Sequence, residues 1–238
     1  MLKILMKEKK IFIGLIPAKK KSTGLKNKNF KKINGVSLFI RAVNSSIKSK
    51  IINSTFVTSD SEKILSNSLK KRSNIIKRPY KLCLKKTKAN EVVCHAAKYI
   101  SKKFDVNRTV IVYLQPTSPL RTFKHVDQSI NLFIKKNAKS LISVCETDKS
   151  IFKSLILNKQ SLKSIFNKKL VTTNRQDLPK IYMPNGAIYI FYLKDFLKTK
   201  KIPIENSFPY YMTHKESIDI DNSMDLEYAK FLSKGKLK

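Results

Sequence analysis

Asp219 and Asp221 alternate with apolar side chains in Ser217-Ile218-Asp219-Ile220-Asp221, and this is the first chemistry to weigh in the chain. If the segment is a strand, its period of two puts both carboxylates on one face, about 7 Å apart. Two hard oxygen donors so spaced can hold Mg²⁺ and share it with substrate phosphates. With 16 acids against 50 lysines and arginines, a paired acidic face is also unusual here. The competing reading is structural: Asp221-Asn222-Ser223 directly precedes a helical pattern and suits its N-cap.

Three further groups of residues could handle an anionic substrate. In residues 111–121, Ile-Val-Tyr-Leu-Gln-Pro-Thr-Ser-Pro-Leu-Arg, an apolar strand runs into a proline-stiffened polar loop. In an open α/β sheet, ligands bind beyond the carboxyl ends of the strands, so Gln115, Thr117, Ser118 and Arg121 would project into a crevice. Thr-Ser-Pro equally suits a turn and a helix start. Residues 17–29 follow the first apolar run and carry Lys19, Ser22, Thr23, Gly24, Lys28 and Asn29. They match neither the Walker nor the dinucleotide fingerprint, which removes support for ATP hydrolysis and nicotinamide chemistry. Their hydroxyls, backbone amides and point charges can still cradle a triphosphate, although a solvated basic loop reads the same way. Finally, Arg175-Gln176-Asp177-Leu178-Pro179 precedes Pro184-Asn185-Gly186, which reads as a tight turn feeding a buried strand.

The elements that must position these groups follow from periodicity. Apolar runs of strand length at 11–16, 55–58, 75–76, 109–114, 141–145 and 186–193 alternate with helix-period segments at 38–47, 61–70, 90–101 and 124–135. Such βαβα order predicts an α/β fold, a largely parallel open sheet with helices on both faces. Beyond Cys145 the rhythm breaks, and 152–157 and 164–170 read as short antiparallel strands around Asn-Lys-Gln. Residues 146–184 are therefore expected to form a β-rich insertion in a single 238-residue domain. A Lys- and Pro-containing loop then leads to a last helix at 223–233, with Met224, Leu226, Ala229, Phe231 and Leu232 as packing residues.

Composition narrows the function classes. The net charge is +34, but only six of the basic residues are arginine and the lysines are spread over most loops. Nucleic-acid readers concentrate arginine forks and interleaved aromatics, so no specific nucleic-acid partner is expected. The scarce arginines, Arg78, Arg121 and Arg175 among them, mark places where a planar donor matters. Cys83, Cys94 and Cys145 are odd in number and form no ligand pair, which predicts reduced thiols and a cytoplasmic location. His95, His125 and His214 have no metal-ligand spacing and are expected on helix surfaces or in the core. No apolar run reaches membrane-spanning length, and the first ten residues lack a signal-peptide pattern.

Taken in order, these blocks resemble the acylneuraminate cytidylyltransferases, which make CMP-activated nonulosonic acids. The likeness rests on Ile16-Pro17-Ala18 with Ser22, Gly24-Leu25 and Lys28-Asn29; Val57-Thr58-Ser59-Asp60; Arg78-Pro79; Leu114 through Arg121; Arg175 with Leu178-Pro179; Pro184 through Tyr189; and Ser217 through Asp221. The resemblance implies a Rossmann-like sheet of the nucleotide-diphospho-sugar transferase type with a small dimerisation subdomain. It implies CTP over the first loop, with Lys19, Ser22, Lys28 and Asn29 at phosphate-contacting positions and Arg78 and Asn90 bordering the nucleotide. Gln115 would meet the sugar acid near its reacting hydroxyl, Tyr189 would line its pocket, and Lys153 and Arg175 would engage its carboxylate across a homodimer interface. Asp219 and Asp221 would bind Mg²⁺, with Lys28, Gln115 and the two aspartates carrying catalysis.

The sequence departs from that pattern at Lys19 and Met183, where arginine is usual, at Thr23, where lysine is frequent, and at Lys85-Lys86, where an acid is usual. Two rivals remain open at this level. One is an enzyme of the same fold acting on the eight-carbon acid Kdo; the other is a non-catalytic protein that binds nucleotides or polyanions.

Overall fold

The structure is a computed structural model that describes residues 9–22 and 24–234. Thr23 and the first eight residues, on which part of the sequence reading falls, lie outside the described residues.

In chain order the elements are β1 (Ile11–Pro17), β2 (Lys32–Ile33), β3 (Val36–Ser37), α1 (Leu38–Ile47), β4 (Ser54–Ser59), α2 (Glu62–Leu69), β5 (Asn74–Lys77), α3 (Ala89–Ile100), β6 (Thr109–Tyr113), α4 (Phe123–Lys135) and β7 (Ser140–Thr147). They continue as β8 (Leu155–Asn158), β9 (Ser161–Ser164), α5 (Lys168–Thr172), β10 (Ile181–Tyr192), α6 (Leu193–Thr199), β11 (Phe208–Tyr211) and α7 (Ser223–Lys234).

Seven strands form one sheet in the order β11-β7-β10-β6-β1-β4-β5. All neighbours are parallel except β10, which runs antiparallel to both β6 and β7. The central strands are apolar on both faces, as a sheet covered on both sides requires. In β6, Val110 and Val112 face the layer built from Phe39 and Val43 of α1 and Val126, Ile130 and Phe133 of α4. The alternate residues Ile111 and Tyr113 face Val93, Ala97 and Ile100 of α3 and Phe196 of α6. Burying one such large side chain is worth roughly 1.5–3 kcal/mol, so this two-sided pattern anchors β1 and β6, whose carboxyl ends carry both ligand loops.

Four expectations are corrected. Residues 165–170 are not strand: the antiparallel pair is β8 with β9, which ends at Ser164, around Lys159-Gln160, and α5 follows, capped by Asn167, whose side chain accepts from Lys169 N. Pro184-Asn185-Gly186 is not a turn but a bulge inside the 12-residue β10, where the register with β7 shifts between Pro184 and Tyr189. Residues 218–220 are irregular rather than strand, with Ile220 N donating to Thr117 O at 2.9 Å. In α7, Leu226 and Ala229 pack as expected, but Met224 and Phe231 are exposed.

The segment linking β10 to the last helix also contains an edge strand, β11, that the sequence reading leaves as loop. Its Pro209 is tolerated because an edge strand leaves one row of N–H groups unpaired. The excursion after Cys145 begins and ends as paired strand, with Met183 opposite Cys145 and Ile181 opposite Thr147, and β8, β9 and α5 lie between.

Candidate active site

Two hollows open beyond the carboxyl ends of β1, β4 and β6, and they share two side chains, Gln115 and Asp219. The first, about 360 Å³, is walled by the first loop (Lys19, Ser22, Gly24, Lys28, Asn29), by Arg78 and by Asp219 and Asp221. The second, about 410 Å³, runs along the seam of β7 and β10 past Cys145, Met183, Asn185, Tyr189 and His214.

The first loop is braced from below. Asn29, buried, donates through Nδ2 to Lys19 O at 2.8 Å, and Lys20 N donates to Asp60 Oδ1 at 2.7 Å. Arg78 is 5 % exposed and directs its Nη2 at Thr58 O (2.7 Å), the carbonyl that also accepts Ala18 N. The Val57-Thr58-Ser59-Asp60 block therefore acts as a scaffold holding both the loop and Arg78. Burial pulls the Arg78 guanidinium below its ordinary value, although it keeps its charge at neutral pH.

The loop is also tied to the acidic segment. Lys28 Nζ donates to Ile220 O at 2.5 Å and pairs with Asp221 Oδ1 at 3.0 Å. A Cβ on Gly24 would lie 2.4 Å from Asp221 O, so only glycine permits this backbone approach. Asp221 N and Asn222 N donate to Asp225 Oδ2, while Asp225 N donates to Asn222 Oδ1. Asn222 is thus the cap of α7, and both Asp219 and Asp221 remain on the wall of the first hollow.

Asp219 is held above the ordinary aspartate range, mainly by burial, with the charge of Asp221 adding to it; a hydrogen bond from Thr117 and the charge of Lys28 oppose the rise. The donor set suits a hard divalent cation: two carboxylates of like charge on the wall of one hollow, beside a loop that carries Lys19 and Lys28. Among the described residues no cluster of three His, Cys, Asp or Glu side chains could hold a metal. The remaining positions around Mg²⁺ would fall to substrate phosphate and water, as is usual for that ion.

Of the loop residues expected to project into a crevice, Gln115 and Thr117 do line one, whereas Ser118 and Arg121 lie buried beneath. Tyr113 is one functional position the sequence reading missed. Its buried phenol, pushed up to about 12 by burial, hydrogen-bonds Gln115, and its ring lies 5.9 Å from that of Tyr189. Asn185 is another: Oδ1 accepts from Ser143 Oγ and Ala187 N, and Nδ2 donates to Ser217 Oγ, binding the β10 bulge to the acidic segment. An Asn before Gly at a ligand-facing strand end was the available signal.

The other expected residues divide. Tyr189 lines the second hollow, and so does His214, exposed at the N-terminal end of a 3-10 turn over 215–217. The segment around Asn90 does border the first hollow through Thr87, Ala89 and Val92, while Asn90 itself lies outside it, its Oδ1 accepting Ile202 N at 3.0 Å. Lys153 and Arg175 reach neither hollow within one chain, and Arg175, largely exposed, pairs with Asp148 at 3.3 Å.

A mostly parallel open sheet with hollows beyond the carboxyl ends of β1 and β6, where the strand order reverses, has the ligand-binding arrangement of the doubly wound α/β folds. Among solved structures, CMP:2-keto-3-deoxy-manno-octonic acid synthetase complexed with CTP aligns with a TM-score of 0.69 at 11% identity, covering 95% of this chain and 100% of that one. The 4-diphosphocytidyl-2C-methyl-D-erythritol synthase of Anaerococcus prevotii aligns with a TM-score of 0.64 at 14% identity, covering 94% and 96%.

Residues 13–237 match the cytidylyltransferase family, and the chain belongs to that family. It is 30% identical to the N-acylneuraminate cytidylyltransferase of Escherichia coli O18:K1:H7 over 91% of this chain and 51% of that protein. It is 27% identical to the pseudaminic acid cytidylyltransferase of Campylobacter jejuni over 92% and 95%. The chain thus spans about half the length of the Escherichia coli relative and nearly all of the Campylobacter jejuni one. Among the described residues, no helix is long and apolar enough to cross a membrane.

Proposed function

We propose that the chain transfers CMP from CTP to the anomeric carbon-2 hydroxyl of a nonulosonic acid, with Mg²⁺ and release of pyrophosphate. The observation that carries this reading is the pair of hollows meeting at Gln115 and Asp219, which would place a nucleotide and a sugar acid in contact at one wall. The names of the relatives, which include N-acylneuraminate and pseudaminic acid cytidylyltransferases, support a nine-carbon acid over Kdo. The three free thiols fit a reducing cytoplasm.

In this reading the acid's hydroxyl oxygen forms a bond to the α-phosphorus and the α–β phosphoanhydride bond breaks. Both substrates are anions, so alignment and charge neutralisation do most of the work. Lys19, Lys28 and the loop amides hold the triphosphate, and Gln115 orients the acid from the shared wall. Of the two side chains common to both hollows, only Asp219 can accept the attacking hydroxyl's proton. Asp219 and Asp221 would hold Mg²⁺, which when bound neutralises phosphate oxygen charge.

No lysine or arginine lines the second hollow among the described residues, although its ligand would carry a carboxylate. Lys153 and Arg175 sit instead on the excursion, beside an exposed apolar set that includes Ile156, Leu157, Leu162 and Phe166. Clustered apolar exposure of this kind marks an interface. A homodimer through β8 and β9 would cover it and bring these cations to the partner's acid. Leu157 and Leu162 face each other across the hairpin. Leu157→Asp with Leu162→Asp is expected to give a monomer by sedimentation, and to raise the acid's KM about tenfold or more while CTP binding stays within about twofold.

The deciding experiment follows pyrophosphate release from CTP against sialic, legionaminic and pseudaminic acids and Kdo. Magnesium-dependent release with at least one nine-carbon acid is expected. Release with Kdo alone would select the rival enzyme, and binding of CTP without release in any arm would select the non-catalytic reading.

A further inference from the structure

We propose that Arg121 is a positioning residue for Gln115, tying the end of β6 to the bulge of β10 so that the glutamine amide is held over the wall shared by both hollows. The inference rests on the proposed reaction only in giving Gln115 a substrate to meet. Arg121 is 3 % exposed and lines neither hollow, so it does not touch the ligands itself.

Its Nη1 donates to Gln115 O at 2.9 Å and to Ala187 O at 2.8 Å, joining two loops about seventy residues apart. Its Nε is buried without a partner, and burial with no compensating charge pulls the guanidinium down to about 9. A buried cation without a carboxylate is costly, and an apolar side chain could fill the same space more cheaply. What arginine supplies is a rigid planar group that holds one nitrogen, Nη1, between a carbonyl just past β6 and a carbonyl within β10.

The Gln115 side chain is constrained from two other directions. The Tyr113 phenol hydrogen-bonds it from the sheet, and Gly186, at φ +73°, leaves it room: a Cβ there would stand 2.8 Å from Gln115 Oε1. Ala187, whose carbonyl Arg121 holds, is the next residue. Arg121 therefore fixes both the backbone that carries Gln115 and the backbone over which its side chain lies.

The test uses the full chain with Arg121→Lys, Gln115→Ala and the double variant. Arg121→Lys keeps a charge and most of the volume but loses the length and the planar group that aim one nitrogen at both carbonyls. It is expected to lower kcat/KM for the acid about tenfold or more while leaving KM for CTP within about twofold, and to add less than about twofold in the Gln115→Ala background. Additive losses in the double variant would overturn the proposal, since Arg121 would then act elsewhere. A second readout needs no turnover and so stands apart from the choice of reaction. The Gln115 side-chain amide signal, identified in NMR spectra by its loss in Gln115→Ala, is expected to shift or broaden in Arg121→Lys while the thermal midpoint and far-ultraviolet circular dichroism show a folded chain. An unchanged signal would also overturn the proposal.

Discussion

Asp219→Asn is expected to lower magnesium-dependent pyrophosphate release by about 10²–10³-fold, the effect of losing roughly 3–4 kcal/mol of transition-state charge stabilisation. The same substitution is expected to raise the thermal midpoint of the ligand-free protein at neutral pH. Asp219 is raised above its ordinary value by burial, reinforced by Asp221. A carboxylate whose folded value is raised contributes stability below its unfolded value and loses that contribution as pH rises through the folded one. At pH 7 the ionised group is therefore a small net liability, screened because Asp219 is solvent-exposed, and the amide, which can still accept from Thr117, removes it. As pH falls towards the ordinary aspartate range, the stabilising effect of Asp219→Asn should vanish. Asp221→Asn should lower turnover comparably but leave the midpoint nearly unchanged, since Asp221 is 77% exposed at its side chain. A scan of midpoint and rate against pH for the three proteins checks both statements. Full turnover in Asp221→Asn would remove it from the metal assignment.

Lys28→Gln is expected to weaken CTP binding about 10²-fold, measured by calorimetry with a non-reacting CTP analogue and no acid. Three effects act in the same direction. The loop loses a point charge facing the triphosphate. Ile220 O, which accepts from Lys28 at 2.5 Å, loses its charged donor, and such a bond is worth about 1.5–3 kcal/mol. Asp219, whose ionisation Lys28 favours, rises further from its ordinary value. Lys28→Arg should recover part of the affinity. A glutamine variant that binds CTP as tightly as the natural chain would place the triphosphate elsewhere.

How much of this was legible depends on which residues carry their own signal. The helices at 38–47 and 124–135 follow from an apolar face repeating at helical period, and β1 and β6 from unbroken apolar runs, because helices cover both faces of the sheet. The excursion was harder: its apolar residues, such as Leu157 and Leu162, are exposed in one chain, so no core imposes a period on them. Gln115, Asp219 and Asp221 were legible as polar residues next to apolar runs. Asn90 misled because a helix-start amide looks the same whether it faces a ligand or a neighbouring backbone N–H. Tyr113 was invisible as a site residue, since within Ile-Val-Tyr-Leu it reads as one more strand side chain. Only the pairing of β6 with β10 brings Tyr189 opposite it and makes it part of the wall.

The contact between Gly24 and Asp221, with Lys28 reaching Ile220 across 192 residues of sequence, means that the two ends of the chain share one mechanical unit. Anything that orders the first loop must also order the acidic segment, and the reverse. Under the proposed function, nucleotide and cation would be linked ligands, each expected to tighten the other by the same factor, as thermodynamic reciprocity requires. On this view the glycine sets cooperativity as well as shape. Gly24→Ala is expected to reduce that coupling, so that CTP affinity measured by calorimetry would respond less to added Mg²⁺ than in the native chain.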